Sequence, residues 1–390
     1  MTITTIELPR LQYPILGIAV IAAVVLLGET WHFGVRHAAL FTVGIAMGVT
    51  LYHAAFGFTA TYRGLITEKE MSGVAAQLVM LGAATLLFAP FLARGEAFGI
   101  EVGGAIAPVS ISMIVGAFIF GLGMQLAGGC GSGTLFTAGG GDIRMLLVLV
   151  FFCLGGFWAS LDMHRWAALS GSIELSLGDA LGWPLAVALQ LAALGAIYLA
   201  LRASGARVRQ PLWWESGCWR TAFVRGPWPL FFGALMLALL NGLTLVLAGH
   251  PWSITWAFTL WAAKAAATLG WDPSTNPFWS GGFPQVALAR PLLADVTTMM
   301  DIGIALGALA AASLAGRVAP SLRIPVRSLL AAVIGGLLLG YGARLAYGCN
   351  IGAFFSGVAS TSLHGWVWIV AAFIGNVIGV HLRPLFGLKS

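Results

Sequence analysis

Residues 121–136 read GLGMQLAGGCGSGTLF, and residues 340–355 read GYGARLAYGCNIGAFF. Both fit G-x-G-x-x-L-A-x-G-C-x-x-G-x-x-F, and every matched position, from Gly121/Gly340 to Phe136/Phe355, is offset by 219 residues (349 − 130 for the cysteines). In each copy an apolar run breaks at a glycine and resumes after a cysteine. This reads as a spanning helix that stops, then a short helix that restarts. A restart leaves backbone N–H groups without intrahelical partners, and those groups together with the helix dipole favour an anion. Gly129 and Gly348 let the backbone approach a ligand closely. The thiols of Cys130 and Cys349 add a weak donor, a weak acceptor and a soft, polarisable contact. The ligand that suits this set is a small anion carrying a soft atom such as sulfur. Two small apolar fillers at helix crossings are the bland alternative, and the repetition of the thiol inside a broken-helix phrase argues against it.

Of the 390 residues, 59% are apolar and 9% charged, where a soluble domain carries about 25% charged residues. Apolar runs of spanning length recur along the whole chain, which predicts an all-α integral membrane protein. The runs lack the short alternation of barrel strands, and the first does not have the make-up of a cleaved signal peptide. Four cysteines supply no disulfide framework. No CxxC or HExxH motif is present, so no cofactor or metal is expected, and the basic balance is a matter of topology rather than of nucleic acid.

Hydropathy predicts about ten spans, with cores at 14–30, 37–54, 72–93, 106–127, 145–161, 181–201, 228–248, 291–316, 325–346 and 365–383. Four segments, 56–64, 130–139, 253–264 and 350–360, are too short or too interrupted to cross and read as half-helices, which are tolerated at membrane depth only where protein buries them or a cavity is lined. With both termini in the cytoplasm, most Lys and Arg residues, among them Arg63, Lys69, Arg144, Arg202, Arg207, Arg209, Arg225, Arg317 and Arg323, fall on cytoplasmic loops, as the positive-inside rule asks. The stretch 202–227 is then a cytoplasmic linker, and 265–290 an outer loop whose tryptophans suit the membrane interface. The offset also pairs Gly116 with Gly335 and Gly156 with Gly375, and FGFT (56–59) weakly matches WSIT (252–255). The chain thus divides into an N-terminal extra helix (1–36), a first repeat (37–175), a linking helix with a basic linker (176–227) and a second repeat (228–390). One linking span inverts the second repeat relative to the first, the plan of many transporters whose sites lie near the midplane at broken helices.

Other polar groups fall around this centre. Arg344 precedes Cys349 within an apolar helix, and its counterpart is Gln125. A charge there is costly and faces a partner or a polar pathway, so Arg344 either draws in an anion or serves a structural pair. Thr59 and Thr255 stand at matched points of the other half-helices, where their hydroxyls meet an anion or bond back to the helix. Asn350 is placed to cap its half-helix. Cys153, whose counterpart is Ala372, reads as core, and Cys218 as a bystander on the linker. Asp295, Asp301, His53 and His364 are polar groups near span ends that read either as proton relays or as interfacial or capping residues. With no carboxylate pair announcing proton coupling, metabolic use of the transported sulfur is the expected drive.

At these motifs the chain resembles the YeeE/YedE family of bacterial sulfur-transport membrane proteins. The residues that carry the likeness are GLGMQLAGGCGSG, GYGARLAYGCNIGAFFSG, SLHGW at 362–366 and, more weakly, FGFTATYR at 56–63. The resemblance implies a multi-pass protein of the bacterial inner membrane that takes up thiosulfate or a related sulfur-containing anion. It implies passage along a line of cysteines, of which Cys130 and Cys349 match two, and a cytoplasmic TusA-like sulfurtransferase as receiver. The family's third cysteine falls where this chain has Gly57, which leaves a two-thiol path. The competing readings are a channel for another small anion and a membrane sulfurtransferase with a reactive thiol. No acid or base lies beside either cysteine in sequence, so a transporter rather than an enzyme is expected.

Overall fold

A computed structural model describes residues 10–169, 171–214 and 219–389. Among the described residues, ten segments are helical, long and apolar enough to cross a membrane. The chain runs through α1 (Tyr13–Trp31), α2 (Val35–His53), the short α3 (Phe58–Glu68), α4 (Ser72–Leu92), α5 (Ile111–Ala127), the short α6 (Gly131–Gly139) and α7 (Ile143–Ala167). It continues with α8 (Leu177–Leu181), α9 (Trp183–Ala203), α10 (Trp219–Arg225), α11 (Leu230–Ala248), the short α12 (Thr255–Thr268), α13 (Gly282–Ala289) and α14 (Val296–Ala315). It closes with α15 (Val326–Leu345), a π-helical turn (Asn350–Phe355) leading into α16 (Ser356–Ala359), and α17 (Leu363–Leu382). Its only strands among the described residues are two-residue pieces: β1 (Glu96–Ala97) with β2 (Ile100–Glu101), and β3 (Val109–Ser110) with β4 (Ser172–Ile173).

Local chemistry sets the helix ends. Ser110, Asp142 and Asp295 accept from the backbone N–H three residues on, at 3.2, 3.0 and 2.8 Å, and so start α5, α7 and α14. The fourth span therefore begins at 111 rather than 106, because Pro108 cannot continue a helix and the next two residues pair as a strand. All four half-helices expected from the sequence are present, with α3 and α12 running four residues further than anticipated.

Hydrogen bonds sort the connections onto two ends of the bundle. At one, here the linker end, Met71 N and Arg207 N bond to Arg207 O and Lys69 O, Trp228 N to His53 O, and Gln12 to Val318. At the other, the hairpin end, Gly103 N bonds to Gly249 O, Ala105 N to the Ser360 hydroxyl, and Leu177 N to Thr361 O.

The core is a set of glycine-mediated helix crossings, the usual device where lipid provides no hydrophobic drive between helices. Along α5 and α15, Gly116 abuts Gly342 and Leu345, while Gly123 abuts Gly335 and Leu339, so the two helices run antiparallel. α7 and α15 run parallel, with Gly336 on Val148 and Phe151, and Gly340 on Phe152 and Gly156. α5 and α17 are also parallel, with Gly375 on Phe118 and Leu122, and Gly379 on Leu122 and Gln125. α1 lies at the edge, against α2 and α14.

In the stretch 265–290, expected to hold interfacial tryptophans, Trp279 packs inward instead. Trp279 is fully buried and donates to Ser160 at 2.8 Å, and with Trp256, Trp271 and Phe278 it forms a separate apolar cluster over α7 and α12. Lys264 fastens this cap by donating to Leu288 O and Arg290 O, both at 2.6 Å.

A methyl group on Gly121 would overlap the backbone of Ala372, whereas one on Gly17 meets nothing within 4 Å. Gly121→Ala should therefore cost about 2 kcal/mol or more, read as a lowered thermal-unfolding midpoint in detergent, while Gly17→Ala leaves the midpoint unchanged or slightly raised.

Candidate functional site

In both copies of the repeated phrase, the cysteine is the N-cap residue of the short helix that follows it. Cys130 has an extended backbone, and its Sγ accepts from Gly133 N at 3.4 Å and lies 3.4 Å from the Ser132 hydroxyl. Cys349 has nearly the same backbone angles, and its Sγ accepts from Ile351 N at 3.4 Å. The chain reverses before each thiol through a left-handed residue: Gly128 (φ 84°) in the first copy and Tyr347 (φ 58°) in the second, where a side chain bears a conformation that glycine takes freely. Gly348 (φ 146°) completes the second reversal. Side chains on Gly129 and Gly348 would be tight against the backbone N of Thr134 and Ala353, at 3.0 and 2.9 Å. These glycines thus keep the first turn of each short helix open.

The two cysteine phrases approach each other in the interior. A Cβ on Gly131, beside Cys130, would stand 2.9 Å from Cys349 Sγ and 3.4 Å from the Thr255 methyl. Three half-helix N-termini, those of α6, α12 and the π-turn, therefore share one small region. The fourth is tied in by amides. Gln125 donates to Thr59 O in the first turn of α3 at 3.1 Å and to Asn376 Oδ1 on α17 at 2.7 Å, and Asn376 in turn donates to Ala372 O at 2.8 Å. On the other side Asn241, Ser356 and the Trp252 backbone close a ring (3.2, 2.8 and 2.8 Å) that holds the start of α12 against α16.

Cys130 is 1% exposed and Cys349 fully buried, so the thiols are shut off from both ends. Around them several buried polar atoms have no partner: Thr59 Oγ1, Thr134 Oγ1, Gln125 Oε1 and Asn350 Oδ1. Orphaned polar atoms are uncommon in folded interiors and call for an explanation in each case. Here they gather about the half-helix N-termini.

Arg344 lies apart from this group. Its guanidinium carbon is 5.0 Å from the Phe278 ring and 5.8 Å from the Trp256 ring, and its Nε is buried without a partner. Among the described residues the only salt bridge is Arg165–Asp162, so no acid neutralises Arg344. Its counterpart Gln125 instead serves the amide network. The repeat conserves the position while the two side chains do different work. Thr255 faces Gly131, and Asn350 Nδ2 reaches the Tyr62 hydroxyl at the limit of a hydrogen bond, 3.5 Å. Cys153 lies in α7, partly buried, and Cys218 falls outside the described residues. Gly57 is the N-cap of α3, and a Cβ there would have only Ala55 O near it, at 3.9 Å, so the site has room for a side chain.

Sequence reading missed Thr134, Asn376, Tyr62 and two arginines. Arg144 donates to Ala127 O and Leu126 O, and Arg383 to Gln125 O, so both cap the carbonyl end of α5 just before Cys130. A polar residue amid the apolar run of α17 was the available signal for Asn376.

The sulphur transport family matches residues 53–378. The chain belongs to that family. It is 37% identical over 145 residues to the probable transporter YedE of Escherichia coli, a match spanning 36% of this chain and only about a third (34%) of that relative. Likeness to the thiosulfate transporter TsuA runs nearly end to end: 26% identity over 349 residues for the Spirochaeta thermophila protein (86% of this chain, 95% of the relative), and 23% over 366 residues for that of Escherichia coli (87% and 94%). The match encloses both cysteine phrases and all four half-helices. With the ten apolar helices it makes the protein a multi-pass membrane protein of a transport family.

Two substitutions test the geometry. Gln125→Leu strands Asn376 Oδ1 and should lower stability by about 1–3 kcal/mol, seen in unfolding of the purified protein. Gly57→Cys should fold like the wild type, with a midpoint shift equivalent to less than about 0.5 kcal/mol.

Proposed function

We propose that this protein carries thiosulfate, or a closely related small sulfur-containing anion, across the bacterial inner membrane into the cytoplasm. The observation that carries this reading is the meeting of half-helix N-termini around two thiols. Backbone N–H groups supply positive potential for the sulfonate-like oxygens, and Cys130 and Cys349 supply soft contacts for the terminal sulfur. The full-length likeness to two proteins named as thiosulfate transporters supports the same substrate.

In this reading the linker end faces the cytoplasm, with both termini, and the hairpin end faces outward. The basic linker residues Arg202, Arg207 and Arg209 support that orientation. Residues 37–175 and 228–390 act as two inverted repeats, preceded by an extra helix (1–36) and joined by 176–227. Contacts that exchange under the 219-residue offset (349 − 130) support the inversion: Gly123 on Leu339 becomes Gly342 on Phe120. Arg344, unpaired and held over Phe278 and Trp256, draws the anion from the outer side toward Cys349. The anion then passes Thr255, Gly131 and Cys130, with Gly129, Gly348, Thr59, Asn350 and Gln125 shaping the path. Because the thiols are enclosed, passage needs the half-helices to move. At the linker end a cavity of about 460 Å³ lies among Arg144, Arg317 and Arg323, with Asp142 the one carboxylate in its lining. It suits an anion leaving the pathway toward a TusA-like carrier.

No acid or base is hydrogen-bonded to either thiol among the described residues, which favours transport over sulfurtransferase chemistry. Uptake of labelled thiosulfate by cells should fall at least about ten-fold in Cys130→Ala and in Cys349→Ala, the loss of about 1.4 kcal/mol of stabilisation. Arg344→Gln should raise the half-saturating concentration by about ten-fold. Wild-type uptake in both cysteine variants, at equal membrane abundance, would remove the thiols from the pathway.

A further inference from the structure

The sequence places Asp301 near a span end, as a capping group or a proton relay. It stands instead inside α14, fully buried, and neither carboxyl oxygen has a hydrogen-bond partner. No other side-chain carboxylate among the described residues is buried in this way. An ionised carboxylate without donors or a cation in such surroundings is an uncompensated charge, so the neutral acid is the form this site accepts. Ionisable groups inside spans mark ion or proton pathways.

The neighbours decide what that proton does. Asp301 lies within electrostatic reach of the Cys349 and Cys153 thiols, so it shares the field of the candidate anion site. On α2 the residues packed against this stretch, Phe41, Gly44, Ile45 and Gly48, carry no charge, and the helix's titratable groups, Arg36, His37, Tyr52 and His53, lie toward its ends. α6 contributes no ionisable group, and α1 only Tyr13 and Glu29 near its ends. On α12, Lys264 is engaged with Leu288 O and Arg290 O. α10 brings Arg220 and Arg225 to the linker end of α14. On α14 itself, Asp295 is held by Thr298 N and Trp256 Nε1 at 2.8 and 3.0 Å.

A cavity lies one helical turn from Asp301. A cavity of about 250 Å³ at the hairpin end is lined by His37, His250, Arg290, Asp295 and Thr297. Thr297 is four residues before Asp301, directly above it on the same helix face.

We propose that Asp301 is a proton-binding site that couples anion transport to an inward flow of protons. The inference rests on the transport reading above. A dianion beside Cys349 and an ionised Asp301 repel each other in a poorly screened interior, so the anion binds best when Asp301 carries a proton. By linkage the anion also strengthens proton binding. Protons reach Asp301 from the histidine-lined cavity, and proton and anion cross together.

The test uses the purified full chain in liposomes with the voltage clamped at zero by potassium and valinomycin. With one proton per anion, a one-unit gradient, acid outside, sustains about ten-fold accumulation of labelled thiosulfate in the wild type. Asp301→Asn, which mimics the neutral acid, should still exchange internal for external thiosulfate but only equilibrate, with a rate flat in pH. Wild-type accumulation that ignores the gradient, or full accumulation by Asp301→Asn, overturns the proton site and leaves transport standing. Absence of thiosulfate exchange in the wild type overturns the transport reading, and the coupling with it. Infrared spectra give a measure independent of flux: the carbonyl stretch of a protonated carboxylic acid should be present at neutral pH and missing in Asp301→Asn. Identical spectra overturn the proposal.

Discussion

A helix that stops inside a membrane must do something with its unpaired backbone groups. In lipid the only helpers are protein and whatever the protein admits. Four short helices begin in the interior of this chain; three of their N-termini share one small region, and the fourth is tied to it through Gln125. Much of the surrounding structure follows from that burden. The carbonyl end of α5 is capped by Arg144 and Arg383. Gln125 and Asn376 fix α3, and Asn241 with Ser356 fixes α12. The glycine crossings of α5, α7, α15 and α17 bring the helices close enough for these bonds to form. Opposite charge has been arranged for the carbonyl end but not for the N–H ends, where only weakly accepting thiol sulfurs approach. The centre thus carries an electrostatic demand of the kind that the proposed anion meets.

The two copies of the cysteine phrase are alike in conformation and unlike in detail. Cys130 starts an α-helix, with Thr134 N bonded to Cys130 O at 2.8 Å. Cys349 starts a π-turn, with Ala353 N and Phe354 N sharing Cys349 O at 3.0 and 3.3 Å. Such wide turns are rare and recur at functional sites. Tyr347 takes the left-handed backbone that Gly128 takes without strain. Arg344 faces aromatic rings where Gln125 faces amides. A pathway with inequivalent halves can hold its cargo differently on its two sides, which a strictly symmetric one cannot do.

Spans and half-helices were legible in the sequence because length and hydropathy are what a membrane reads. The cysteine centre was legible because a duplicated phrase carries its own control: a filler residue has no reason to recur at one offset with its flanking glycines. What escaped depended on depth or on a distant partner. The span before Cys130 was drawn five residues too long because 106–110 is apolar, and only Pro108 and the pairing of Val109 with Ile173 make it extended. The tryptophans of the 265–290 stretch matched an interfacial belt by composition, yet Trp279 packs inward, where Ser160 offers its indole a buried partner. Arg344 announced a partner, but nothing in the local sequence says that the partner is a pair of rings from elsewhere in the chain. Asp301 follows Asp295 by six residues, and hydropathy cannot tell that the first caps a helix at the surface while the second is sealed beneath it.

That last difference bears on how the site works. In the proposed pathway the half-helix N-termini and Arg344 supply the positive potential, beside two thiols. Such a path attracts a dianion strongly, and strong attraction slows release. A carboxyl group within electrostatic reach of Cys349 opposes it, and does so in proportion to its own ionisation. The same element that appears as an unsatisfied defect in the core is therefore suited to weaken the hold on the anion once its proton departs. In the proposed mechanism, attraction from the half-helix N-termini and repulsion from one acid are of opposite sign, and a single proton sets the balance between them.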